Sequence, residues 1–326
     1  MGEQSKQEFL VGVDVGGTKI LTGVFSLSLE CLGMAKVSTK AQRGTDAVIE
    51  RIARCVRDAV DEADLSLKNV RGLGIGAPGA VDGEAGNVIF APNLDWHDVP
   101  LKKTLEKQLE VPVFVENDCN IAALGVYVSE LQSKAKHVLG IFVGTGIGGG
   151  LIINGELYSG FGHTAGEVGH MVLDVNGPKC GCGNKGCFEA LASRTAIFQQ
   201  IKSAVKNGQK TILTDMLGEN LEDLRSGDLR KALRRGDKFV AKVVEEAASY
   251  TGIAVANLVN ILNPEIVVLG GGVIEALGDE MMEIIKKTVK ERAMPGAMKG
   301  VQIVDSHLGD NAGITGGAVL AKRMTK

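Results

Sequence analysis

Two passages of the chain share one pattern, and this duplication constrains the fold more than any other feature. Phe9-Leu-Val-Gly-Val-Asp-Val-Gly-Gly-Thr18 is an apolar, β-branched run that ends in glycines, and Ile20 to Phe25 resumes it. Val138-Leu-Gly-Ile-Phe-Val-Gly-Thr145 runs into Gly146-Ile-Gly-Gly-Gly150, and Leu151 to Ile153 resumes that run. Apolar runs broken by Gly-Thr turns read as β-hairpins. One hairpin opening each half predicts a duplicated α/β chain. At 326 residues two domains are expected.

Between the hairpins the pattern alternates. Asp46 to Ala63 carries Val48, Ile52, Val56, Ala59, Val60 and Ala63 at helical spacing. Val70 to Ile75 reads as a strand running into Gly76-Ala-Pro-Gly79, and Leu101 to Leu109 as a helix. Val111 to Val115 reads as a strand ending at Glu116-Asn-Asp118, with a helix through Ile121 to Leu131. Later come a long helix (Asp237 to Leu262), a buried strand (Glu265 to Leu269) and a helix from about Glu275. Strands alternating with helices predict α/β architecture. The charged stretch Glu219 to Arg235 is expected to be a surface excursion. The domain boundary is expected near Glu116. That gives a small α/β domain of residues 1–116, rejoined by a final helix in about 312–326, and a large α/β domain of 117–311.

Apolar residues make up 44% of the chain and charged residues 23%, the balance of an ordinary globular protein. A net charge of -3 offers nucleic acid no basic footprint, and few aromatics leave no base-stacking platform. The polar Met1-Gly-Glu-Gln-Ser-Lys6 is neither signal peptide nor membrane anchor, and Ile253 to Leu262 is too short and polar to span a bilayer. A cytoplasmic protein is expected, with no membrane or nucleic-acid partner.

Cys180, Cys182 and Cys187 fall within Cys-Gly-Cys-Gly-Asn-Lys-Gly-Cys, downstream of His170. Thiolates this close, spaced by glycines, suit a tetrahedral zinc site with His170 as fourth ligand. Cysteines at this spacing also pair as disulfides or pack as small core residues. A reducing compartment disfavours the first, and the polar, glycine-rich setting the second. Four protein ligands leave no open position for water, so the metal is structural. It would also hold Glu167 and Glu189 in place beside His170.

Asp14-Val-Gly-Gly-Thr-Lys19 has the makings of a phosphate loop. Gly16 and Gly17 let backbone N–H groups approach an anion, Thr18 adds a hydroxyl, Lys19 adds charge, and Asp14 could hold Mg²⁺ through water. A plain hairpin turn would use the same residues. Gly144, Gly146 and Gly149 match the dinucleotide fingerprint, but a strand rather than a helix is expected after them, which argues against that reading. Gly144, Thr145 and Gly146 can still wrap phosphates. Gly270, Gly271 and Gly272 sit between strand and helix, either as a tight connection or close to an adenine or ribose.

Asp118 ends a strand, where ligand groups collect in α/β sheets, and could accept a hydroxyl proton during phosphoryl transfer. It could equally cap the next helix. Asn93, Asn117, Asp118, Glu167, His170 and Glu189 form a polar set suited to the vicinal hydroxyls of a sugar. Trp96, the only tryptophan, either stacks on a sugar face or packs in its loop.

These motifs in this order resemble the bacterial-type glucokinases of the repressor–ORF–kinase (ROK) family, within the actin-like sugar kinases. The motifs are Asp14-Val-Gly-Gly-Thr-Lys19, Pro92-Asn-Leu-Asp-Trp96, Glu116-Asn-Asp-Cys-Asn120, Gly144-Thr-Gly-Ile-Gly-Gly149, Glu167-Val-Gly-His170, Cys180 to Glu189 and Pro264 to Gly272, spread from about Phe9 to Ala321. The resemblance implies two actin-like (ribonuclease H-like) α/β domains with an active cleft between them. It implies ATP, Mg²⁺ and structural Zn²⁺, transfer of the γ-phosphate to the 6-hydroxyl of glucose, and a homodimer. It makes Asp118 the general base and Asn93, Asn117, Glu167, His170 and Glu189 sugar contacts. N-Acetylglucosamine, N-acetylmannosamine, fructose or mannose as acceptor, polyphosphate as donor, or a non-catalytic sugar sensor stay open. Some family members are repressors, but about eight polar residues before the first strand are too few for a helix-turn-helix.

Overall fold

The computed structural model describes residues 8–326, and the polar stretch Met1–Lys6 lies outside the described residues. In chain order, β1 (Phe9–Val15), β2 (Lys19–Phe25) and β3 (Cys31–Ser38) form a meander, and α1 (Thr45–Glu62) crosses to β4 (Val70–Ala77), parallel to β1. β5 (Ala80–Asp82), β6 (Asn87–Ala91) and β7 (Trp96–Val99) make a small antiparallel sheet. α2 (Leu101–Leu109) leads to β8 (Val113–Asn117), parallel to β4, and α3 (Asp118–Ser129) follows at once. β9 (Val138–Val143), β10 (Ile147–Ile153) and β11 (Glu156–Leu157) come next. After them lie α4 (Phe188–Ala192), α5 (Arg194–Lys206), α6 (Ile212–Leu217), α7 (Ser226–Arg234) and α8 (Lys238–Leu262). β12 (Ile266–Gly270), α9 (Gly272–Arg292), α10 (Pro295–Met298), β13 (Gln302–Asp305) and α11 (Asn311–Met324) complete the fold.

The expected duplication is present in the topology. One sheet has the order β3-β2-β1-β4-β8 and the other β11-β10-β9-β12-β13. In each, the strand at the centre has a hairpin partner on one side and parallel strands on the other. The chain divides into two compact units. Unit one holds residues up to Lys136, Gly150–Gly166 and Asp310–Lys326, and unit two holds His137–Gly149 and Glu167–Gly309.

In unit one, β1 is buried on both faces and its residues alternate between two cores. Phe9, Val11, Val13 and Val15 join the cluster with Val48, Ile52 and Val56 of α1, while Leu10 packs with Ile314, Ala318 and Ala321 of α11. Gly12 shares the Leu10 face, and a Cβ there would stand 1.7 Å from the Ile314 carbonyl oxygen. Glycine therefore lets the backbone of α11 lie directly on β1. α3 meets α11 as closely, since a Cβ at Gly316 would stand 1.7 Å from the Ile121 carbonyl oxygen. This packing places α3, and the chain up to Lys136, in unit one, beyond the boundary expected near Glu116.

Unit two is built around α8, capped by Asp237, whose Oδ1 accepts from Phe239 and Val240 N–H groups at 3.0 Å. The stretch Glu219 to Arg235 is not a mere surface excursion. Leu221, Leu224 and Leu229 are buried, and the carboxylate of Asp228, also buried, meets Lys231 at 3.0 Å. Its charge density hid an amphipathic helix, α7.

Candidate active site

Asp14 continues the Leu10–Gly12 face of β1, which turns it toward the start of α11. A Cβ at Gly313 would lie 2.8 Å from its Cγ. In register across the sheet, Asp14 stands opposite Gly76 of β4, and Gly76 opposite Glu116 of β8. Asp118 opens α3 two residues later, and a Cβ at Gly76 would reach within 3.2 Å of its Cα. Burial first, then the charge of Asp118, push the Asp14 carboxyl up to about 7, with Lys19 pulling it down and Asp310 adding to the rise. Lys19 pairs with Asp310, which also lies 3.9 Å from Lys36.

The helix cap at this site is Asn117, not Asp118. Asn117 Oδ1 accepts from the N–H groups of Cys119 at 2.8 Å and Asn120 at 3.1 Å, and its Nδ2 donates to Gly79 O at 2.9 Å. Asp118 is half-buried, and its Oδ1 accepts from Cys119 N–H at 2.9 Å. Glu116 is buried, taking N–H from Asn117 (2.8 Å), Nδ2 of Asn120 (3.0 Å) and the hydroxyl of Ser159 (3.3 Å). Asn93 is exposed beside the first glycine loop, its Cβ 3.6 Å from where a Gly17 side chain would begin. Trp96 is fully buried in β7, which corrects the sugar-stacking option: it packs.

In that first loop Gly17 and Thr18 are exposed. Three of its carbonyls are engaged inside the unit: Gly16 O by the hydroxyl of Thr39 at 2.6 Å, Thr18 O by Thr39 N–H at 3.0 Å, and Lys19 O by Gly16 N–H at 2.9 Å. With these oxygens occupied, the exposed Gly17 and Thr18 can offer an anion their donors.

In unit two, the ligand atoms of His170, Cys180, Cys182 and Cys187 all lie within 4.8 Å of one another. Cys180 Sγ is 3.8 Å from His170 Nδ1 and Cys182 Sγ is 3.7 Å from Cys187 Sγ. A tetrahedron of thiolates bound at the usual Zn–S length has edges of about 3.8 Å, so the residues fit zinc. No disulfide joins the described cysteines. Burial pushes the Cys187 thiol up to about 12, so its thiolate needs a cation beside it. His170 turns Nδ1 to the sulfurs, and its Nε2 lies 3.8 Å from Glu167 Oε2. Glu189 reaches the second glycine turn, where its Oε2 accepts from Ile147 N–H at 2.9 Å. A Cβ at Gly146 would sit 2.3 Å from that same oxygen.

β10 begins at Ile147, so Ile147 to Gly150 is strand where the sequence reads as turn, and the turn itself is Gly144–Gly146. Gly144 N–H donates to Gly146 O at 2.9 Å, and Thr145 is exposed. A strand after this loop removes the dinucleotide reading, which needs a helix there. Gly270 ends β12, Gly271 caps α9 with φ 87°, and Gly272 starts the helix, earlier than the expected Glu275. The run is thus a strand-to-helix connection.

Comparison with known proteins fits this arrangement. The ROK family model matches residues 10–324. The chain belongs to the ROK family. A glucokinase of Halalkalibacterium halodurans is 37% identical over 96% of this chain and 94% of its own length. A putative xylose repressor of a Caldicellulosiruptor strain is 33% identical over 94% of this chain and 76% of its own. Among solved structures, a ROK family glucokinase from Streptomyces griseus in complex with glucose and AMPPNP superimposes with a TM-score of 0.85. It is 32% identical and covers 97% of this chain and 99% of its own.

Within this ROK chain, Asp14, Gly16 to Lys19, Asn93, Asn117 and Asp118 are residues of unit one, and Gly144 to Gly146, Glu167, His170, Glu189 and Gly270 to Gly272 of unit two. Sequence reasoning missed Thr39, Asp310 and Arg194. Arg194 donates to Thr145 Oγ1. None of the three lies in a motif, and each acts through chain folded back from a distance.

Proposed function

We infer that this ROK-family chain is an ATP-dependent glucokinase that transfers the γ-phosphoryl group to the 6-hydroxyl of glucose. The observation that carries the reading is the pair Asp14 and Asp118, at the C-terminal ends of β1 and β8 on either side of β4, beside a loop with the Gly16, Thr18 and Lys19 carbonyls engaged. In the proposed reaction the 6-hydroxyl oxygen attacks the γ-phosphorus, its proton passes to Asp118, and the bond from phosphorus to the β,γ-bridging oxygen breaks to release ADP. Asn93, Asn117, Glu167, His170 and Glu189 are the proposed sugar contacts. The loops at Gly16 to Lys19 and Gly144 to Gly146 would hold the phosphates, and Gly270 to Gly272 the nucleoside. For Asn117 the capping bonds and the Nδ2 bond to Gly79 O define its orientation, so the second Nδ2 hydrogen is what it has left to offer a sugar.

Two neighbouring carboxylates, one with its proton affinity raised by burial and then by the charge of the other, fit a divalent cation. Asp14 would hold Mg²⁺, which supplies charge neutralisation on the donor phosphates. Zinc on His170, Cys180, Cys182 and Cys187 supplies a structural cross-link. Among the described residues no helix is long and apolar enough to cross a membrane. Consumption of ATP and a thiolate metal site suit the cytoplasm, and we place the enzyme there as a homodimer.

The test is ADP formation from ATP and Mg²⁺ across glucose, mannose, fructose, N-acetylglucosamine and N-acetylmannosamine. Glucose should give the highest kcat/KM. Another sugar in the lead would move the acceptor, and no sugar-dependent ADP from zinc-loaded protein would favour a sensor, a role the likeness to a xylose repressor keeps in view.

A further inference from the structure

Arg194 opens α5 behind Ser193, whose hydroxyl accepts from Ala196 N–H at 3.2 Å. The first two residues of this helix grip the second glycine turn through four hydrogen bonds, one of them from Thr195 N–H to Thr145 O at 3.4 Å. Arg194 N–H donates to Gly144 O at 2.9 Å, Thr195 Oγ1 donates to Thr145 O at 2.7 Å, and the Arg194 guanidinium donates to Thr145 Oγ1. A guanidinium carries donors only, so the Thr145 hydroxyl must accept from it. Its own hydrogen is then directed away from Arg194, where it can only donate. Both carbonyls flanking that hydroxyl are turned to α5, so the turn presents donors.

The two loops are alike in one respect and differ in another. Thr39 occupies the carbonyls of the first loop as Thr195 occupies that of the second. But Lys19 of the first loop is neutralised by Asp310, whereas no ion pair among the described residues engages Arg194. Arg194 therefore polarises Thr145 with an uncompensated charge, and a hydroxyl polarised by a cation is a stronger donor to an anion.

We propose that Arg194 is a positioning residue for phosphoryl transfer, orienting the Thr145 hydroxyl as a donor to the terminal phosphate of the nucleotide. This rests on the assignment of the Gly144–Gly146 turn to the donor phosphates. Arg194→Ala, Arg194→Lys, Thr145→Ala and the Ala/Ala double variant test it in steady-state kinetics and in binding of AMPPNP and ADP. Arg194→Ala and Thr145→Ala should each lower kcat/KM for ATP by about 10- to 100-fold, the worth of a charge-assisted hydrogen bond. The double variant should be no worse than the poorer single variant, because both remove one donor. AMPPNP affinity should fall while ADP affinity and the KM for glucose hold, and Arg194→Lys, which keeps a charged donor, should recover part of the loss. Normal kcat/KM in Arg194→Ala overturns the proposal, as do losses that multiply in the double variant or ADP affinity that falls with that of AMPPNP. Should Arg194→Ala prove unfolded, no recovery in a folded Arg194→Lys overturns it too. An impaired Thr145→Ala beside a normal Arg194→Ala sinks this inference alone, and normal behaviour of both also removes the loop from the donor site.

Discussion

Glu189 and Ile147 are joined by a 2.9 Å hydrogen bond from the Ile147 backbone N–H to Oε2, while the other carboxylate oxygen lies 4.0 Å from Cys180 Sγ. One side chain thus ties the cysteine cluster to the end of the second glycine turn. The turn carrying His170 braces the same point, since a Cβ at Gly169 would stand 2.0 Å from the Ile147 carbonyl oxygen. Both arms of the His170–cysteine cluster bear on the strand that leaves the loop.

Removing the proposed zinc should therefore damage catalysis without any direct role for the metal. A chelator, or Cys182→Ser, should lower the zinc content, the thermal midpoint and kcat together, with the KM for ATP rising as the Gly144–Gly146 turn loosens. Metal analysis beside a melting curve checks this. Full zinc retention in Cys182→Ser would remove that residue from the ligand set.

Asp118 is the base we propose, and its neighbours Asn117 and Glu116 hold the head of α3 through bonds that do not depend on its carboxylate. Asp118→Ala should leave the fold and glucose affinity close to wild type and lower kcat by about 10²- to 10⁴-fold. Calorimetric titration with glucose separates binding from turnover. Near-normal kcat would assign the proton to another group.

Much of the framework was legible because it rests on local signals. Glycine ends and β-branched runs mark β1, β2 and β9, and apolar spacing marks α1 and α2. The cysteine spacing alone points to the quartet whose ligand atoms meet. The glycines of 146–150 misled because glycine also serves close approach: a Cβ at Gly150 would lie 2.9 Å from the Cys119 carbonyl oxygen. The Asp14–Asp118 relation depends on register across β4, which no local pattern encodes. Thr39 and Arg194 bond partners 23 and 49 residues away, so nothing beside them marks a site.

Asp14 gives stability a signed pH dependence. Its carboxyl titrates at about 7 in the folded protein against 3.8 for the ordinary group. Between those values the folded state holds a proton that the unfolded state has released, so stability falls as pH rises through the window. The contribution is complete below 3.8 and gone above about 7. Asp14→Asn cannot make this exchange. In metal-free protein its thermal midpoint, relative to wild type, should climb from pH 4 toward about 7 and then level off. A difference that stays flat across the window would mean that Asp14 is ionised throughout.

Trp96 offers a sharp separation between packing and sugar contact. It is fully buried, and its Nε1 has no hydrogen-bond partner among the described residues. Trp96→Ala should cost about 3–5 kcal/mol through lost burial and the cavity left behind. Trp96→Phe creates a smaller void but also removes the unpaired indole N–H, whose burial costs about 1–3 kcal/mol, so the two effects should largely offset. The Phe variant should then melt near wild type and keep the KM for glucose, and glucose should not shift the tryptophan emission of the native protein by stacking. Weakened glucose binding in a stable Trp96→Phe protein would return this ring to the sugar site.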